Sequence, residues 1–119
     1  MNAAKSFEDL IVWQKAHQLT LVVYGMTKGF PREEIFGLSS QMRRAAVSVP
    51  SNIAEGFQRS GTKDKIKFFN ISQGSLEELR YQLILTRDLQ YADTAPAMWL
   101  ATEVAKLLNA YIRSLHSNS

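Results

Sequence analysis

Apolar residues recur at helical spacing along almost the whole chain, and no stretch alternates with the period of two that a half-buried strand requires. Val12, Ala16, Leu19, Val23 and Met26 step by four and three, which makes a heptad seam. Beside it runs a second stripe of Leu10, Trp13, His17, Leu21 and Tyr24. Together the two form an apolar surface wider than the roughly 100° that a bundle helix turns toward its own core. Either the helix is well covered by its neighbours, or one stripe faces another subunit, where Trp13 and Tyr24 are favoured aromatic types. His17, amid these neighbours, reads as a core or interface histidine and not as a general base.

Turn signals are few: Gly29-Phe30-Pro31, Arg59-Ser60-Gly61-Thr62 and Ala92-Asp93-Thr94-Ala95-Pro96. They cut the 119 residues into four long helical pieces with short connections. One domain over 1–119, an all-α antiparallel up-down-up-down four-helix bundle, is the fold this predicts. The first helix should start after Ser6, where Ser6-Phe7-Glu8-Asp9 has the form of a capping box. Pro31, Glu33 and Glu34 suit a short helical turn. The second helix, near Leu38 to Phe57, carries its seam on Leu38, Met42, Ala45, Val49, Ile53 and Phe57. Pro50 inside it removes a backbone donor and crowds the carbonyl of Ala46, so a kink or local break is expected.

The third helix should run from Thr62 to about Tyr91. Gly74-Ser75 at its middle weakens it, which a bundle accepts if another backbone passes close at that point. The fourth begins around Asp93 or Thr94 with Pro96 in its first turn. Its three-four periodicity over Ala97, Leu100, Ala101, Val104, Leu107, Leu108, Tyr111 and Leu115 is the cleanest in the chain. The polar tail after Leu115 should fray.

Chemistry-bearing signals are sparse. With no Cys there is no disulfide framework, thiolate metal site or cysteine nucleophile. Neither HExxH, GxSxG nor a phosphate-binding Gly-rich loop is present, so no catalytic residue, cofactor or metal is assigned and the chain is not read as an enzyme. No secretory leader or membrane-length apolar run is visible, and a cytoplasmic protein with no membrane partner is expected. The second helix has one polar stripe: Gln41, Arg44, Ser48, Asn52, Glu55 and Arg59. It fits a substrate-facing wall, a solvated face, or a set of buried hydrogen bonds fixing helix register and subunit pairing. Basic charge is concentrated beside it. Arg43, Arg44, Arg59, Lys63, Lys65 and Lys67 face only Glu55 and Asp64 between residues 43 and 67, a local balance of +4 in a chain of net charge +3. Such a patch attracts RNA or DNA backbones by releasing counterions, and repeating it around an oligomer multiplies the contacts. An acidic protein partner is the competing expectation.

Three segments carry a family resemblance. They are Phe7-Glu8-Asp9-Leu10-Ile11-Val12-Trp13-Gln14-Lys15-Ala16, the run from Phe36-Gly37-Leu38 through Ser48-Val49-Pro50-Ser51-Asn52-Ile53-Ala54-Glu55-Gly56, and Ser72-Gln73-Gly74-Ser75-Leu76-Glu77-Glu78-Leu79. They resemble the four-helix-bundle proteins first noticed as open reading frames within 23S rRNA intervening sequences. That group is also called ribosomal-protein-S23-like, and accessory variability proteins of diversity-generating retroelements are its relatives. The resemblance implies a left-handed antiparallel bundle assembled as a homopentamer around a central channel, with basic surface suited to nucleic acid and no catalytic activity. The retroelement relatives partner a reverse transcriptase, which makes such a protein the example of an acidic partner. On this reading Trp13, Tyr24, Ser48, Pro50, Asn52, Glu55, Gly74 and Ser75 are structural or interface residues. Asn52 and Glu55 should then be partly buried and bonded to the third helix or to another subunit, while the six basic residues touch the partner.

Overall fold

Ser6 opens the first element with the expected reciprocal cap. Its hydroxyl accepts from the Glu8 N–H at 3.1 Å, and Asp9 Oδ2 accepts from the Ser6 N–H at 3.2 Å. In the computed structural model, which describes residues 3–117, the capped element is a 3-10 turn, Phe7–Asp9. An extended Leu10 follows, and helix α1 runs Ile11–Thr27. A second 3-10 turn, Arg32–Glu34, stands behind Pro31 as expected. Helices α2 (Leu38–Gln58), α3 (Thr62–Asp88) and α4 (Ala95–Ser117) complete the chain. The described residues contain no strand. Helix α3 stops three residues short of Tyr91, because Gln90 adopts a left-handed conformation with φ 60° that no helix continues through. Helix α4 passes Leu115 and keeps its helical turn to Ser117.

Each helix packs on two neighbours: α2 lies against α1 and α3, and α4 closes the ring between them. The pairings descend as the numbers rise, so neighbours are antiparallel. Thr27 meets Arg43 while Thr20 meets Ala46, and Met42 meets Thr86 while Ser48 meets Ser75. Gln73 on α3 likewise meets Asn109 on α4. The seam residues fill the centre. Val12, Ala16, Leu19 and Val23 of α1 face Met42, Val49 and Ile53 of α2, Phe69, Leu76, Leu79 and Leu83 of α3, and Ala97, Ala101, Val104 and Leu108 of α4, all buried. Met26, last of its seam, is half-buried at the bundle end.

Pro50 lies buried within α2, yet the helix is unbroken from Leu38 to Gln58. A proline leaves the carbonyl four residues back without its helical donor. Here that carbonyl, Ala46 O, lies 3.1 Å from the Thr20 hydroxyl of α1, whose single hydrogen is shared between it and Ala16 O at 2.9 Å. On the other flank the Ser72 hydroxyl of α3 donates to Val49 O at 2.8 Å. Two neighbouring helices thus supply the polar contacts around the proline, and the expected break does not occur.

The close approach expected at Gly74 is found at Gly56 instead. A Cβ on Gly56 would stand 2.8 Å from Cε1 of the buried Phe69 ring, whereas one on Gly74 would meet nothing within 4 Å. Glu34 ties one end of the bundle together. Its Oε1 accepts from the Leu38 N–H at 3.1 Å, capping α2, and its Oε2 accepts from the Tyr91 hydroxyl at 2.9 Å.

Candidate nucleic-acid interface

The polar stripe of α2 divides by depth. Ser48 and Ser75 share a hydrogen bond of 2.7 Å across the α2–α3 seam. Asn52, half-buried, donates to Ser48 Oγ at 3.0 Å and to Ser48 O at 2.8 Å, so it reaches α3 only through that serine. Glu55 differs from expectation: it is exposed and pairs with Arg59 one turn on at 3.3 Å, not with α3. Gln41, Arg44, Ser48, Ser75 and Glu78 line a shallow polar pocket of about 380 Å³ on the seam. His17 is exposed, contrary to its apolar setting in the sequence, and stacks on the half-buried Trp13 ring at 5.1 Å. Trp13 also meets Phe7 edge-on at 5.0 Å. Among the described residues no cluster of His, Cys, Asp or Glu could hold a metal, and no helix is long and apolar enough to cross a membrane.

The six basic residues separate into two groups. Arg43 is engaged: its Nε donates to Thr27 Oγ1 at 2.8 Å and its guanidinium covers the Tyr24 ring at 4.9 Å. Lys65 is engaged too, with Nζ donating to Phe57 O at 2.7 Å and to Gly56 O at 3.4 Å. An ammonium there satisfies the last carbonyls of α2 and complements the negative end of its dipole. Arg59 pairs with Glu55 and lies over the Phe68 ring at 4.6 Å. Arg44, Lys63 and Lys67, by contrast, are exposed and make no contact of these kinds with another described residue. Lys63 and Lys67 are one helical turn apart and project from the same side of α3.

A second feature adjoins Arg44. Tyr24, Ile35, Phe36, Arg43, Arg44 and Val47 line an open groove of about 590 Å³ between α1 and α2. Phe36 is 96 % exposed, far more than any other large apolar side chain described. The periodicity argument missed it, because it lies between elements, outside any helical seam. Its signal was present all the same: an Ile-Phe pair just ahead of Gly37, too short to begin a core stripe.

These features define an all-α four-helix bundle with a cationic flank and an uncovered apolar groove, and with no catalytic constellation among them. The sequence profile of the 23S rRNA-intervening sequence proteins matches residues 8–112, and the chain belongs to that family. A crystal structure of a protein of unknown function from the S23 ribosomal protein family of Bacteroides thetaiotaomicron has the same fold. It superposes with a TM-score of 0.80 at 26 % identity, over 87 % of this chain and 96 % of that one. No curated protein matches the sequence.

Proposed function

We propose that this chain is a non-catalytic nucleic-acid-binding protein that works as a homo-oligomer, five copies on the family resemblance, with its cationic flank repeated around the particle. The observation that carries the reading is the set of uncommitted cations: Arg44, Lys63 and Lys67 stand exposed and form no ion pair with another described residue. Charges held in this way interact with phosphates at little cost in lost internal contacts, and the interaction is sequence-independent and salt-sensitive. The exposed Ile35, Phe36 and Tyr24 support assembly, since a lone chain gains nothing by presenting them to water.

The test is a salt titration of binding to a short RNA and the matching DNA, with particle mass measured in parallel. The triple variant Arg44→Gln/Lys63→Gln/Lys67→Gln should bind at least ~10-fold more weakly at low salt and show a shallower log–log salt slope, by about one per phosphate contact removed. Its thermal unfolding should be unchanged, because none of the three holds the fold together. Lys65→Gln should do the reverse, losing stability and little affinity. Unchanged affinity and slope in the triple variant overturn the assignment. Binding that survives nuclease treatment of a co-purified protein complex would instead point to an acidic protein partner.

A further inference from the structure

Three cations gather where α1 ends and α2 begins. Lys28 follows the last turn of α1, Arg32 sits in the 3-10 turn behind Pro31, and Arg43 stands in the second turn of α2. With Thr27 and Ser39 they line a cavity of about 490 Å³ whose lining holds no Asp or Glu. The two acids of the intervening turn leave these charges unanswered. Glu34 spends both oxygens on the Leu38 N–H and the Tyr91 hydroxyl, and Glu33 is exposed and pairs with none of the three. Lys28 and Arg32 are exposed and have no hydrogen bond or ion pair among the described residues. Arg43 is held by one nitrogen only. Its Nε donates to Thr27 Oγ1 at 2.8 Å and its guanidinium lies over the Tyr24 ring at 4.9 Å, so both terminal nitrogens stay without a partner. Ser39 is an independent sign of a missing ligand. It lies one helical turn before Arg43 on the same face of α2 and is only 5 % exposed, yet its hydroxyl has no hydrogen-bond partner among the described residues. A buried hydroxyl left unpaired costs folding free energy, and the cavity it lines is where a partner would stand.

We propose that this cavity binds the terminal phosphate of a nucleotide, the 5′-phosphomonoester of a free nucleotide or of a strand end. The phosphate rests on the cavity alone, and the choice of a nucleotide to carry it rests on the nucleic-acid reading above. The site is separate from the cationic flank, since neither Arg44, Lys63 nor Lys67 lines it. A terminal phosphate matches the donors better than the backbone of a strand does. It carries a charge of about −1.5 to −2 near neutral pH and three strong acceptor oxygens, whereas a diester within a strand offers less of both. Guanidinium forks bond such oxygens in pairs, an ammonium adds a point charge, and a hydroxyl donates to an oxygen left over. Arg43, with its Nε already fixed, loses little freedom in turning its terminal nitrogens to an anion. Phe30, Pro31 and Ile35 supply an apolar wall for the carbons of the sugar, and the volume lies within the range of small-ligand sites.

Calorimetric titration of the whole chain with adenosine 5′-monophosphate and with adenosine tests it. The monophosphate should bind at least ~10-fold more tightly than the nucleoside. Lys28→Gln/Arg32→Gln should erase that difference, whereas Arg44→Gln/Lys63→Gln/Lys67→Gln should leave it in place. Ser39→Ala should weaken the monophosphate without lowering the thermal midpoint, because the hydroxyl holds nothing within the chain. A short RNA made with a 5′-phosphate and with a 5′-hydroxyl separates the two sources. Tighter binding of the phosphorylated strand, lost in Lys28→Gln/Arg32→Gln, gives the cavity to strand ends; equal binding of the strands beside tight monophosphate binding gives it to free nucleotides. Equal affinity for adenosine and its monophosphate, with RNA ends not distinguished, overturns the cavity and leaves the flank reading standing. Monophosphate binding that weakens alike in both charge variants reports general attraction and also overturns it. A chain that binds no RNA but holds the monophosphate through Lys28 and Arg32 overturns the flank reading and keeps the cavity.

Discussion

Gly56 and Gly74 sit in the interiors of adjacent helices and have opposite surroundings. Gly56, on the inner side of α2, carries the ring of Phe69 where its side chain would be, and that ring in turn meets Tyr111 edge-on at 5.1 Å. Gly74, on the outer side of α3, faces open space. The contrast extends beyond the two residues. On the inner side several groups are answered within the chain: the Thr20 hydroxyl approaches the carbonyl that Pro50 leaves bare, Ser72 donates to Val49 O, and Lys65 caps the end of α2, while the buried Gln82 Oε1 has no hydrogen-bond partner. On the outer side Phe36, Tyr81, Arg44 and Glu78 are exposed, and the two charged groups lack a partner. The inner face is packed by this chain's own side chains. The outer face leaves these groups exposed.

The sharpest way to break that contrast is to add one methyl at each glycine. In an exposed helix interior, Gly→Ala stabilises by about 1 kcal/mol through propensity and reduced unfolded-state entropy. At Gly56 the methyl must displace a ring that is fully buried, and overpacking of this kind costs about 1–3 kcal/mol. Gly56→Ala should therefore lower unfolding stability by about 1–2 kcal/mol, whereas Gly74→Ala should raise it by about 1 kcal/mol. Denaturant unfolding followed by circular dichroism reads both. Equal signs at the two sites would remove the distinction between a packed and an exposed face.

A smaller effect tests the inner side alone. Thr20→Val keeps the shape of the side chain and deletes the donor to Ala46 O, leaving a buried carbonyl unpaired at a cost of about 1–2 kcal/mol. Pro50→Ala restores the missing N–H, so the same Thr20→Val change should cost far less in that background. The double-mutant cycle should show a coupling of about 1 kcal/mol between two residues on different helices. Independent, additive effects would mean that Thr20 does not serve the proline.

This pairing marks how far the sequence could be read. The four helices were legible because each repeats its own seam, and a repeat is a local property. The two glycines look alike in sequence, each within a long helix, and what separates them is a ring 13 residues away in one case and empty space in the other. Thr20 lies 26 residues from Ala46 and Ser72 23 from Val49, distances at which no spacing rule operates. The excess of positive charge between residues 43 and 67 was equally visible as a sum. Its division into engaged Arg43, Arg59 and Lys65 and uncommitted Arg44, Lys63 and Lys67 depends on which carbonyls, rings and hydroxyls the fold delivers. That His17 lies outside the core and that Glu55 does not reach α3 were hidden for the same reason. A polar stripe and an apolar stripe each have edges, and only the packed neighbours show on which side of an edge a residue falls.

The smallest effect concerns the bundle end where the two faces meet. Tyr91 donates its phenolic hydrogen to Glu34, whose other oxygen caps α2 two residues after Phe36. That hydrogen bond raises the Tyr91 pKa above its ordinary 10.0, with burial and the charges of Glu34 and Glu33 adding in the same direction. A folded-state pKa above the unfolded value means that the contribution is fully present below pH 10.0 and is lost as pH rises through the folded value. Burial raises the Tyr111 phenol as well, so alkaline loss of stability has at least two sources. Tyr91→Phe should remove only the part that belongs to Glu34: stability near neutral pH falls slightly, and the decline above pH 10 becomes shallower. Thermal midpoints from pH 7 to 11 measure both at once. An unchanged alkaline slope would show that the Tyr91–Glu34 hydrogen bond contributes nothing to the pH dependence of folding.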